Sequence, residues 1–196
     1  MAPVEHRKAC RRYNEPGHAH FITFSCFRRQ PFLLWDWARA FLCDGIDLAR
    51  RRNQFDLWAY VFMPEHVHLL ICPRDSEYSV STILSTIKQS VSKRAALFVR
   101  EQAPHLLALM TDAQPNGTSH VRFWQRGGGY DRNLWSPRHI RETIDYIHAN
   151  PVRRGLCKID TEWKWSSARV YEGSGTSPLS IEVASLPDDP RRINAP

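Results

Sequence analysis

Two apolar runs parted by a two-residue break constrain the fold of this chain more than any other stretch. Leu57-Trp58-Ala59-Tyr60-Val61-Phe62-Met63 has the content of a strand, Pro64-Glu65 interrupts it, and His66-Val67-His68-Leu69-Leu70-Ile71 resumes it. The pattern predicts a hairpin at the centre of a sheet. Side chains two apart on a strand share a face, so His66 and His68 project side by side, while Glu65 alternates to the other face. Neutral imidazoles placed this way can share one divalent cation if a third ligand arrives from elsewhere. The same spacing also suits a hydrogen-bonded pair with no ion.

The chain around this hairpin alternates strands and helices. His20–Phe27 is rich in β-branched and aromatic residues and reads as a buried strand. Asp36–Arg52 reads as a helix ending in Arg50-Arg51-Arg52, cations that suit the carbonyl end of the helix dipole or a phosphate. From Ser79 to Arg100, Val80, Ile83, Leu84, Ile87, Val91 and Phe98 recur at helical spacing, with Ser79 placed to cap the start. Lys88, Lys93 and Arg94 lie off that stripe, as a solvated face or a phosphate track. Residues 101–120, with Pro104, Pro115, Asn116 and Gly117, read as a loop or insertion.

Val121–Asn133 interleaves aromatics with arginines around Gly127-Gly128-Gly129, which suits an edge strand whose backbone approaches something closely. No Gly-Lys-Ser/Thr follows, which sets aside a nucleoside-triphosphate loop. Ser136-Pro137 opens a final helix, predicted to close at Asn150-Pro151 because proline disfavours helical backbone before it. Ile140, Ile144 and Ile147 form its core stripe. Tyr146 and Asn150 share another face, roughly 90–130° from that stripe on a 3.6-residue wheel. A seam tyrosine and a helix cap would explain them separately.

The 196 residues suit one domain with appendages: a basic lead-in at 1–17, a folded unit at 18–171 and a Gly-, Ser-, Pro- and Asp-rich tail at 172–196, expected to be partly flexible. An excess of 27 Lys and Arg over 20 Asp and Glu favours a polyanionic partner, nucleic acid before membrane. There is no apolar run long enough to span a bilayer and no apolar leader, so a cytoplasmic protein is expected. Five scattered cysteines without a Cys-x-x-Cys pair read as free thiols.

Four blocks stand in order: Met63-Pro64-Glu65-His66-Val67-His68-Leu69-Leu70, Phe123-Trp124-Gln125-Arg126-Gly127-Gly128-Gly129-Tyr130-Asp131-Arg132, Asp145-Tyr146-Ile147-His148-Ala149-Asn150-Pro151-Val152-Arg153-Arg154-Gly155-Leu156 and Trp163-Lys164-Trp165-Ser166-Ser167-Ala168. Together they resemble the REP-associated tyrosine transposases of the single-tyrosine His-hydrophobe-His superfamily. The resemblance covers about residues 18–171. It implies an α/β (α+β) fold of ferredoxin-like type, an antiparallel sheet packed by helices with the histidine pair on a central strand. The strand-helix-strand-strand-helix-strand-helix order read from the residues is compatible with it.

The resemblance also implies roles: His66, His68 and Asn150 as ligands of Mg²⁺ or Mn²⁺, and Tyr146 as the nucleophile. Related insertion-sequence enzymes commonly carry glutamine where Asn150 stands; asparagine offers the same amide oxygen on a shorter arm. The implied reaction is cleavage and rejoining of single-stranded DNA hairpins from palindromic repeats, through a 5′-phosphotyrosine and a free 3′-OH. The candidate DNA contacts are Arg11, Arg12, Lys88, Arg126, Arg132, Arg153 and Arg154, and a monomer is expected. A hairpin-binding regulator that no longer cuts is the rival reading, and an RNA-binding module the third.

Overall fold

A computed structural model describes residues 12–188. Strand β1 (Ala19–Ser25) leads through helix α1 (Asp36–Asn53) to β2 (Phe55–Phe62), and the Pro64-Glu65 turn reverses the chain into β3 (His66–Pro73). Helix α2 (Val80–Gln102) follows. A short helix α3 (Leu107–Met110) and a small hairpin of β4 (Thr111–Ala113) and β5 (Ser119–Val121) come next. Strand β6 (Tyr130–Leu134), helix α4 (Pro137–Arg153) and a one-turn helix α5 (Ala168–Tyr171) complete the order.

The four-stranded sheet has the order β2-β3-β1-β6 with every neighbouring pair antiparallel. Strand β3 therefore sits between β1 and β2, the split βαβ arrangement of a ferredoxin-like fold. Both faces of the sheet are covered, which is why β2 and β3 read as nearly unbroken apolar runs. On one face, Ile22, Phe24, Leu57, Tyr60, Val67 and Leu69 pack against α1 and α2, whose stripe Val80, Ile83, Leu84, Ile87 and Val91 is buried. Each such aliphatic side chain stabilises by about 1.5–3 kcal/mol. On the other face, Ile140, Ile144 and Ile147 of α4 cover Ala19, Ala59, Val61, Leu70 and Leu134. His66 and His68 lie on this second face, at the end of β3 nearest the turn.

Helix α4 continues past Asn150 to Arg153 with Pro151 inside it, so the predicted stop is one turn early. Proline removes a single amide donor this near a helix end, and Pro151 is buried while Arg154 N still reaches Asn150 O at 3.1 Å. The 101–120 segment holds helical turns and a hairpin rather than only loop. Gly129 has φ +71°, and a Cβ there would collide with the Thr23 carbonyl. That glycine lets β6 close onto β1 beside Thr23.

The edge of β2 is covered by the C-terminal part of the chain. Phe62 N donates to Trp165 O (2.8 Å), Ser167 N to Tyr60 O (3.1 Å) and Glu182 N to Leu57 O (3.1 Å). Leu179 and Leu186 are buried there, so the described part of the tail, expected to be partly flexible from its composition, is anchored by these apolar residues and by Glu182. This capping leaves less unpaired strand for edge-to-edge association. His148 of α4 is buried against it, with Nε2 2.8 Å from Ser167 Oγ, and burial pushes its pKa down to about 4. The unfolded chain takes up that proton near pH 6.5, so stability is full above that value and falls as pH drops toward 4. We expect His148 to account for about 2 kcal/mol of lost stability between pH 7 and 5. Urea midpoints should fall accordingly, and His148→Asn should flatten that dependence.

No helix among the described residues is long and apolar enough to cross a membrane. Cys26, Cys43, Cys72 and Cys157 are free thiols.

Candidate active site

The two histidines of β3 converge by their Nε2 atoms, 3.0 Å apart. Their other ring nitrogens are held from behind: His66 Nδ1 lies 3.0 Å from Glu65 Oε1, and His68 Nδ1 lies 2.7 Å from Thr23 Oγ1. A carboxylate only accepts, so His66 carries its proton on Nδ1 and presents the Nε2 lone pair forward. Thr23 Oγ1 can accept in the same sense from His68. Burial lowers the pKa of both rings, that of His68 to about 3 with His66 beside it adding to the effect. Both are therefore neutral at pH 7, the form that binds a cation. Burial raises the Glu65 pKa, but the stronger pull of Arg154 and His66 leaves it below the usual value.

Glu65 does not alternate away from the histidines as the strand pattern predicts. It lies in the turn just before β3 begins, where strand alternation does not apply, and its carboxylate bridges His66 and Arg154 Nη1 (2.9 Å). The resulting Arg154–Glu65–His66 chain fixes a ring tautomer, the kind of outer contact that orients a metal ligand.

These residues fit a divalent cation. Adjacent ligands around a six-coordinate ion with bonds of about 2.1 Å lie about 3.0 Å apart, and the two Nε2 atoms have that separation. Among the described residues no three His, Cys, Asp or Glu side chains gather at one point. A neutral amide oxygen can also serve such an ion.

Helix α4 supplies one. Tyr146 and Asn150 stand one turn apart along one side of it, and Arg154, just past its end, follows one turn later. Tyr146 meets His68 with ring centroids 5.7 Å apart, and Arg154 meets Glu65, the neighbour of His66. Asn150 lies between those two anchor points and is buried. Its Nδ2 donates to Tyr146 O at 2.7 Å, and no protein donor among the described residues reaches its Oδ1. An amide oxygen left in this way is of the type that suits Mg²⁺ or Mn²⁺.

Tyr146 is 40% exposed, in edge contact with Phe21 at 5.8 Å and with the Arg153 guanidinium 5.5 Å above its ring. Arg132, exposed on β6, faces the same cleft as Tyr146. The structure thus brings Tyr146, His66, His68, Asn150, Arg132, Arg153 and Arg154 to one side of the sheet.

The remaining candidate contacts lie elsewhere. Arg12, Lys88 and Arg126 line a groove on the α2 side, and Arg11 falls outside the described residues. Lys88 Nζ donates to Gln125 O (3.1 Å) and Gly127 O (2.8 Å), and burial with Arg12 nearby pushes its pKa down to about 8. Arg126 binds Asp112 (3.1 Å) and Gln114 (2.8 Å), while Arg12 pairs with Asp131 (3.4 Å). These cations hold the glycine-rich loop and the small hairpin in place. No sequence pattern marks Thr23 or Phe21 as part of this site, because only the β1–β3 register sets Thr23 opposite His68.

The fold and the site define a ferredoxin-like sheet bearing a paired-histidine centre under a helix-borne tyrosine. The family model described as "Transposase IS200 like" matches residues 15–150, and the chain belongs to that family. It is similar to the REP-associated tyrosine transposase of Escherichia coli (strain K12), 25% identical over 169 residues that cover 86% of this chain and 87% of the relative. A relative from Haemophilus influenzae is 23% identical over 146 residues, 69% of this chain and 75% of its own. The fold matches a solved REP-associated tyrosine transposase bound to a REP hairpin, with TM-score 0.61 and 22% identity over 92% of this chain and 96% of that one.

Proposed function

We propose that this transposase-family protein is a metal-dependent endonuclease and strand transferase acting on single-stranded, hairpin-forming DNA repeats. The observation that carries the reading is the half-exposed Tyr146 standing over His68, whose Nε2 converges with that of His66. His66, His68 and Asn150 would hold Mg²⁺ or Mn²⁺. When bound, such an ion polarises a phosphate oxygen and offsets the charge that develops during attack.

Tyr146 supplies the nucleophile. Its Oη gives up its proton and bonds to phosphorus as the P–O3′ bond breaks, and the departing O3′ takes up a proton in turn, giving a 5′-phosphotyrosine and a free 3′-OH. The phosphoester energy is conserved in that link for rejoining to another strand. Arg132 and Arg153 flank the tyrosine and would neutralise neighbouring phosphates. The catalytic unit spans 18–171, closed along the edge of β2 by Leu179, Glu182 and Leu186 of the segment that follows, and the protein acts as a monomer in the cytoplasm.

The test is cleavage by wild type, in Mg²⁺ and in Mn²⁺, of a single-stranded DNA hairpin, its fully duplex counterpart and the matching RNA hairpin. Only the single-stranded DNA should be cut. Tight hairpin binding without cleavage in either metal would favour a regulatory binder instead.

Asn150 has its own expected outcome. Asn150→Ala removes one of three protein ligands, so Mn²⁺ affinity measured by calorimetry should fall at least roughly tenfold. Asn150→Gln keeps the oxygen on a longer arm and should retain part of that affinity. Unchanged affinity in the alanine variant would leave Asn150 as a helix-packing residue only.

A further inference from the structure

Phe21 divides the space beneath α4. Its ring stacks on His68 with centroids 5.4 Å apart and also meets Tyr146 at 5.8 Å and Tyr130 at 6.0 Å. Beside it opens a cleft of about 310 Å³ lined by Phe21, Arg132, His139, Glu142, Thr143 and Tyr146. The four α4 residues fall at i, i+3, i+4 and i+7, a single stripe of the helix. Arg132 rises from β6, the edge strand, opposite Phe21 in the β1–β6 register. The proposed cleavage uses Tyr146 and Arg132 of this cleft and leaves His139, Glu142 and Thr143 unassigned.

The cleft joins aromatic surface, a cation and groups able to read the edge of a ring. Its volume is at the low end of sites that enclose a small ligand. An unpaired base needs a π-face to replace lost stacking, and exposed aromatics beside arginine provide one. Thr143 donates its hydroxyl to His139 O at 2.7 Å, which leaves His139 and Glu142 as the edge readers. Glu142 Oε1 accepts from Arg138 at 2.7 Å, and a carboxylate can accept several hydrogen bonds at once. An acceptor in that position favours a base with an exocyclic amino group, which thymine lacks.

We propose that this cleft holds the unpaired base next to the phosphate presented to Tyr146, and that Glu142 selects an amino-bearing base there over thymine. The proposal rests on the reading of Tyr146 as nucleophile only to say which phosphate lies alongside. Capture of the base itself requires neither cleavage nor a cation.

The test uses the full chain as Tyr146→Phe, without divalent cation, and DNA hairpins carrying single-stranded flanks. With 2-aminopurine placed at each flank position in turn, fluorescence should fall about twofold or more at one position on binding, as the base stacks. At that position, adenine or cytosine should bind roughly tenfold more tightly than thymine, with a flankless hairpin as the reference for each variant. Adding Glu142→Gln should reduce that ratio to about twofold or less, because glutamine can also donate to thymine. Absence of quenching at every position, or an unchanged ratio in the glutamine variant, would overturn the proposal. Failure of wild type to form a covalent adduct would count against the tyrosine reading alone.

Discussion

Replacing both His66 and His68 with alanine should lower cleavage of a single-stranded hairpin by about 10²–10³-fold or more. The two rings converge at 3.0 Å, each held from behind by Glu65 or Thr23, and both are neutral at pH 7. Removing them takes away the nitrogen donors while Glu65 keeps its partner Arg154. The main core on the α1–α2 face is untouched, so circular dichroism and hairpin affinity should stay close to wild type. Conservative His68→Gln, which keeps most of the volume, should lose cleavage as well and separates metal loss from a packing defect. Undiminished cleavage by the double variant, or by wild type in excess chelator, would remove any role for a bound cation.

Much of this site is legible in the sequence, because its parts rest on local periodicity. The period of two places His66 and His68 together on one strand face, and the 3.6-residue period places Tyr146 and Asn150 together on a helix. What periodicity cannot supply is the approach of one element to another. Thr23 reaches His68 only through the β1–β3 register, and the closeness of β6 to β1 depends on Gly129. Glu65 shows the limit of alternation: one residue outside the strand, its side chain turns back to the histidine it precedes. The basic residues were the least legible. Charge marks Lys88 and Arg126 as candidate phosphate contacts; only the fold shows that Lys88 also donates to loop carbonyls and Arg126 to Asp112 and Gln114. Arg132 and Arg153 gain their significance from standing beside Tyr146.

Tyr146→Phe should reduce cleavage to background while leaving the protein and its hairpin affinity almost unchanged. The tyrosine is 40% exposed, and no hydrogen bond reaches its hydroxyl among the described residues. Loss of that oxygen should therefore change stability by about 0.5 kcal/mol or less. The ring contacts with Phe21, His68 and Arg153 persist in phenylalanine. What disappears is the hydroxyl oxygen that the proposed step joins to phosphorus. Tyr130 is also exposed and contacts the same Phe21, so it is the competitor to exclude. Tyr171 is not one: its hydroxyl donates to Trp58 O at 2.7 Å, and burial raises its pKa.

The most direct measurement is to incubate wild type with a single-stranded hairpin substrate and Mn²⁺, denature, digest and map the protein–DNA adduct by mass spectrometry. A 5′-phosphoryl nucleotide on the peptide containing Tyr146, absent from Tyr146→Phe, is the predicted result. An adduct on Tyr130 or another residue, or cleavage that proceeds in the phenylalanine variant, would contradict it.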